Sequence, residues 1–168
     1  FIFLILKSSN SQQLSNLNNA DNPIEIFAEE GIEWHKSKKK YVAIGNAKAL
    51  SGTLSLESDQ IEAFYDEKES SNMNIKEVKA QNNVVVKDNK MKITGGNYAE
   101  YNISKDYFLI MGKNIILTSE SNILKSKQKL EYWRQKNIAI ATGTRAEYGL
   151  LRNLISLIDS SEELDLIL

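Results

Sequence analysis

From Asp21 to about residue 135, apolar and polar positions alternate in short runs, the period of a half-buried strand rather than of a helix. Ile24-Glu-Ile-Phe-Ala28 and Gly31-Ile-Glu-Trp34 read as alternating half-buried strands, and Thr53-Leu-Ser-Leu-Glu-Ser-Asp59 and Val84-Val-Val86 continue the theme with alternating and β-branched residues. Lys36-Ser-Lys-Lys-Lys40, between Trp34 and Tyr41, reads as a charged hairpin turn, and Asp66 to Asn74 reads as a longer polar loop. Residues 21–135 hold no convincing amphipathic helix. Many short strands with turn signals every 8–12 residues predict a sandwich, barrel or jelly roll.

Three stretches repeat one design: strand, Asn-centred turn, strand, then a segment ending on an aromatic. They begin at Tyr41, Ile75 and Asp106, and in each an Asn (Asn46, Asn83, Asn114) precedes a Tyr (Tyr65, Tyr101, Tyr132) by 18 or 19 positions. A period of roughly 30–37 residues marks supersecondary units that bury their apolar faces by stacking on one another. Such a chain suits a scaffold or carrier better than a compact catalyst.

Composition removes several alternatives. With 168 residues there is room for one domain with a real core, or a domain plus a fragment. A net charge of −1 lacks the basic excess of a phosphate-backbone binder, so no nucleic acid is expected. The absence of cysteine excludes disulfides and thiolate chemistry. His35, the only histidine, sits beside the lysine-rich turn and reads as a surface residue. Asp59, Glu62 and Glu100 are scattered, and no metal-ligand cluster or nucleophile–base pair precedes residue 137. No catalytic residue, metal or cofactor is therefore expected.

The two ends differ from the middle. Phe1-Ile-Phe-Leu-Ile-Leu6 is apolar and far short of the ~20 residues that span a bilayer. It fits the tail of a signal-peptide core, with Ser9 and Ser11 as small residues beside a cleavage point, and so predicts export. At the other end, Lys136 to Gly149 reads as a strand entering a glycine-containing loop. Apolar positions at 150, 151, 154, 155, 157 and 158 then follow helical spacing, and Leu164 to Leu168 resumes as a strand. That β-loop-α-β order belongs to a parallel α/β sheet. The chain thus divides into residues 1–20 (signal-peptide remnant and linker), 21–137 (β domain) and 138–168 (α/β fragment).

Pro23 to Trp34 followed by Tyr41-Val-Ala-Ile-Gly-Asn-Ala-Lys-Ala49 resembles the opening of the OstA/LptA family of lipopolysaccharide-transport proteins. Leu56 to Tyr65, Tyr107 to Leu117 and Leu130-Glu-Tyr-Trp133 look like that family's later strands, so the resemblance covers about residues 22–142. It implies a periplasmic, mainly β protein: a twisted OstA-like jelly roll forming an open antiparallel trough that shields lipopolysaccharide acyl chains. It also implies end-to-end joining of such modules by edge strands, including self-association. A membrane-anchored relative of the LptC type shares the fold. A lipid trough needs one apolar side of every strand, since each exposed CH₂ costs about 0.8 kcal/mol. The inward candidates are Ile24, Ile26, Ala28, Ile32, Trp34, Leu54, Leu56, Ile61, Ala63, Val84, Val86, Ile93, Phe108, Ile110, Ile115 and Leu117. A dry core demands the same alternation, so sequence does not separate core from groove.

Ile138-Ala-Ile-Ala-Thr-Gly-Thr-Arg-Ala-Glu-Tyr-Gly-Leu-Leu151 is similar to the start of hydrolysing UDP-N-acetylglucosamine 2-epimerases. That resemblance would place Gly143, Thr144 and Arg145 near the UDP end of a nucleotide sugar. One βαβ piece lacks the second domain of such an enzyme, so no epimerase activity is expected. The stretch 138–143 serves equally as the next strand of the OstA-like repeat, which suggests a chimeric junction there, by rearrangement or artefact. The expected function is a lipopolysaccharide carrier or bridge. Its rivals are a nucleotide-sugar enzyme fragment fused to this domain and a purely structural β module.

Overall fold

A computed structural model of the chain describes residues 12–17, 23–67, 73–120 and 122–143. Among these residues twelve strands follow one another, all paired antiparallel: β1 (Gln12–Leu17), β2 (Ile24–Ala28), β3 (Gly31–His35), β4 (Lys40–Ser51), β5 (Leu54–Glu67) and β6 (Met73–Asp88), then β7 (Met91–Asn102), β8 (Tyr107–Met111), β9 (Ile115–Ser119), β10 (Ile123–Ser126), β11 (Lys129–Trp133) and β12 (Ile138–Thr142). Among the described residues the helical content is one 3-10 turn, Lys36–Lys38, closed by Lys39 in the left-handed region (φ 48°). This is the charged hairpin turn that the lysine run predicts.

Strands β4 to β7 are long because each runs through a corner. Pairing shifts register between Ile44 and Ala47, Glu57 and Gln60, and Gln81 and Val84. Gly45, Asn46, Asn82, Asn83 and Gly95 have positive φ. Asn tolerates this left-handed conformation better than other side chains, and bulges bend and twist a strand. Asn46 donates to Glu29 Oε2 at 2.8 Å, and Asn83 donates to Asp59 Oδ1 at 3.0 Å. Gly95 is forced by space as well, because a Cβ there would lie 1.9 Å from the carbonyl oxygen of Asn114. The repeated asparagines Asn46 and Asn83 are therefore corners inside continuous strands, not the strand-to-strand turns that the sequence suggests. Hairpin turns fall instead at Gly52–Thr53 and Asn89–Lys90.

The corners line up as a spine and divide the sheet into two half-sheets. One contains β3, residues 40–44, 60–67, 73–81 and 98–102, then β8, β11 and β12. The other contains β1, β2, residues 47–51, 54–57, 84–88 and 91–94, then β9 and β10. Their inner faces share one apolar core that includes Ile26, Ile61, Val86 and Phe108. Among the described residues the sheet does not close. Among the described strands β3 pairs only with β4, and β12 only with β11.

Ile138–Thr142 pairs along its whole length with β11, from Trp133↔Ile138 to Lys129↔Thr142. Among the described residues it is the last antiparallel strand of this sheet, so the division read at 137/138 falls between two paired strands. The helix over 150–158, the strand over 164–168 and the apolar residues 1–6 lie outside the described residues, as do Ser9 and Ser11.

Candidate functional site

Cross-strand register assembles the inward residues into rows that run across the strands. Nearest the hairpin tips of the first half-sheet the row is Trp34, Tyr41, Ala63, Val78, Tyr101, Phe108, Tyr132 and Ala139. Nearer the spine it is Ile32, Ala43, Ile61, Ala80, Ala99, Ile110, Leu130 and Ala141. Facing them, the second half-sheet presents Ile26, Ala49, Leu56, Val86, Ile93, Leu117 and Leu124. Directly opposed residues share a face, so each row is a continuous apolar strip.

Of the sixteen inward candidates, all but Ile32 and Trp34 are buried, and Ile32 packs against the core. Trp34 is 51% exposed. Its register opposite Tyr41 keeps it in the inward row, but β3 is an edge strand and leaves the ring open on one side. The ring stacks on Tyr41 at 6.2 Å, and its Nε1 donates to Tyr65 Oη at 2.8 Å. His35 lies at the surface, 2.9 Å from Glu33.

Several residues outside the candidate list also line the interior. Ile75, Val78, Tyr65, Tyr101, Leu130 and Tyr132 are all buried. The alternation of β6 and β11 carried their signal, and the three tyrosines are the aromatic ends of the repeats. Tyr101 stacks on Phe108 at 4.2 Å, and its hydroxyl donates to Asp106 Oδ1 at 2.7 Å. Burial first, and then that hydrogen bond to a carboxylate, raise the Tyr101 pKa above the ordinary phenol value.

Opposite the spine, the hairpin tips of the two half-sheets form a mouth. Arg134, in the β11–β12 turn, donates to Asp106 Oδ2 at 3.2 Å in the neighbouring β7–β8 turn. It also reaches the other half-sheet, donating from Nε to Asp88 Oδ2 at 2.6 Å and from Nη2 to Thr53 Oγ1 at 3.3 Å. Thr53 in turn donates to Asp88. Burial acts to raise the Asp88 pKa, but Arg134, Thr53 and the Asn89 N–H together hold it below the ordinary carboxylate value.

Just inside this mouth is a small apolar void of about 10 Å³, lined by Ile24, Leu54, Leu56, Val78 and Tyr101 among others. That is at the threshold for a single water. The outer face of the first half-sheet is polar by contrast, with Lys40–Glu62 at 2.6 Å and Lys79–Glu100 at 3.3 Å. Among the described residues no group of three or more His, Cys, Asp or Glu gathers as a metal site. Gly143 follows β12, and Thr144 and Arg145 lie outside the described residues.

Residues 26–138 match the family described as LptA/(LptD N-terminal domain) LPS transport protein. An uncharacterized protein of Rhizobium meliloti is 26% identical over 115 residues, which is 66% of this chain. The chain spans 59% of that relative's length. Among solved structures, LptH of Pseudomonas aeruginosa, the LptA homologous periplasmic component of the conserved lipopolysaccharide transport device, matches with a TM-score of 0.62. The match is 16% identical and covers 73% of this chain and 83% of that one, a likeness of fold. The similarity of residues 136–168 to nucleotide-sugar epimerases finds no support in these matches.

Proposed function

The chain belongs to the LptA/(LptD N-terminal domain) family of LPS transport proteins, which are not enzymes, and from that premise we propose that it is a periplasmic lipopolysaccharide carrier. The observation that carries this reading is the set of continuous apolar strips on the two inner faces. They run across the strands and reach an unclosed edge at Trp34. Acyl chains laid along these strips leave water, at about 0.8 kcal/mol per CH₂. The side of β12 that no described strand covers offers N–H and C=O groups for strand addition by another jelly-roll module or a second copy. In this reading lipopolysaccharide and other jelly-roll proteins are the partners, and no residue has a catalytic role.

A structural module is favoured by one observation: the void just inside the mouth, about 10 Å³, is itself too small for an acyl chain. Photo-crosslinking separates the two. A photoreactive residue placed at Ile26 or Phe108, both inward, is expected to capture lipopolysaccharide, and one at Glu62 or Lys87 on the outer side is not. A folded protein that captures none at any position would overturn the carrier reading.

A further inference from the structure

Asp88 and Arg134 occupy positions that the strand period turns inward. Val84, Val86 and Asp88 share one face of β6, and Arg134 follows Tyr132 by two residues. Charges at the rim of an apolar interior are stable only when paired, because each alone would be desolvated without compensation. The pairing joins the two half-sheets across the mouth, directly beside the small void and Tyr101.

We propose that Arg134, Asp88 and Thr53 form a latch that holds the mouth shut and sets the rate at which an amphiphile is loaded. The crossing bonds are Arg134 Nε to Asp88 and Arg134 Nη2 to Thr53. Once they part, each lip keeps its own partners. Arg134 stays with Asp106 through its side chain and through its backbone N–H to the Asp106 carbonyl at 3.0 Å. Asp88 stays with Thr53 and the Asn89 N–H. Opening therefore strands no charge. It also lets water in, and an ion pair that is strong when dry is worth little once solvated. The latch is thus two-state: firm when closed, weak as soon as the lips separate. The spine opposite is the hinge that such a motion requires.

The loading half of this proposal rests on the carrier reading; the opening half stands on geometry alone. Spin labels at Lys90→Cys and Lys105→Cys, exposed positions on the two lips, report the width of the mouth in the full chain. Asp88→Asn removes the crossing charge while keeping its shape, and Thr53→Val, at an exposed turn, is a milder second variant. Each should lengthen and broaden the label separation. Each should also speed uptake of fluorescent lipopolysaccharide, by about ten-fold for Asp88→Asn. Unchanged separation in both folded variants overturns the latch, whether or not lipopolysaccharide is taken up. Lips that widen in a protein that takes up no lipopolysaccharide keep the opening half and overturn the carrier reading. Lips that widen with uptake at the wild-type rate overturn the gating role.

Discussion

The spine and the mouth join the same two half-sheets by opposite means. At the spine the link is the backbone itself: bulged strands, left-handed Asn46, Asn82 and Asn83, and Gly95 against the Asn114 carbonyl. At the mouth it is side chains alone, with a guanidinium between two carboxylates. A backbone corner can flex but cannot part, because separating it breaks ladder hydrogen bonds and strains φ/ψ. A side-chain clasp can exchange partners. The contrast teaches where rigidity and motion reside in a bent sheet.

The largest expected effect comes from breaking the spine. Gly95→Val puts a β-branched side chain at φ 80° and into the Asn114 carbonyl, and should cost about 3 kcal/mol or more in denaturant unfolding. At the mouth, Arg134→Met leaves Asp106 and Asp88 without their cation and should cost about 2 kcal/mol, less than a fully buried pair because the arginine is partly solvated. If Arg134→Met proves the costlier of the two, the assignment of hinge and clasp is reversed.

Acid sharpens the contrast. The folded Asp88 pKa lies below its ordinary value of 3.8, so its contribution is present above that value and is lost as pH falls through the folded pKa. Stability titrated downward from pH 5 should fall, and Arg134→Met should fall less steeply over the same range. A smaller effect separates the two roles of a corner asparagine. Asn83→Ala loses both αL tolerance and the bond to Asp59, about 1 kcal/mol, whereas Asn83→Gly keeps the backbone and loses less. Equal losses would show that the side-chain bond, not φ, holds the corner. The least effect is expected from Trp34→Phe, which keeps the ring on Tyr41 and forfeits only the bond to Tyr65, under about 1 kcal/mol by thermal melting.

Alternation made the strands legible, from Ile24 to Leu117, because period 2 is a direct imprint of one buried face. The Asn–Tyr repeat was legible as a repeat, but its geometry was not. Glycine and asparagine with positive φ mark a hairpin turn and an in-strand bulge alike, and only pairing tells Asn83 in mid-strand from Asn89 in a turn. The clasp left no local signal, since Arg134 lies 28 residues from Asp106 and 46 from Asp88. The scattered carboxylates found partners by the same long-range route: Asp59 meets Asn83, Glu62 meets Lys40, and Glu100 meets Tyr98 and Lys79.

The row from Trp34 to Ala139 crosses eight strands, and at about 4.8 Å per neighbouring pair its seven gaps measure roughly 34 Å. The strands are thus rungs, and the reach of the ladder is counted in whole strands rather than in residues. Lengthening a hairpin leaves that reach unchanged, whereas inserting one adds two rungs, about 10 Å.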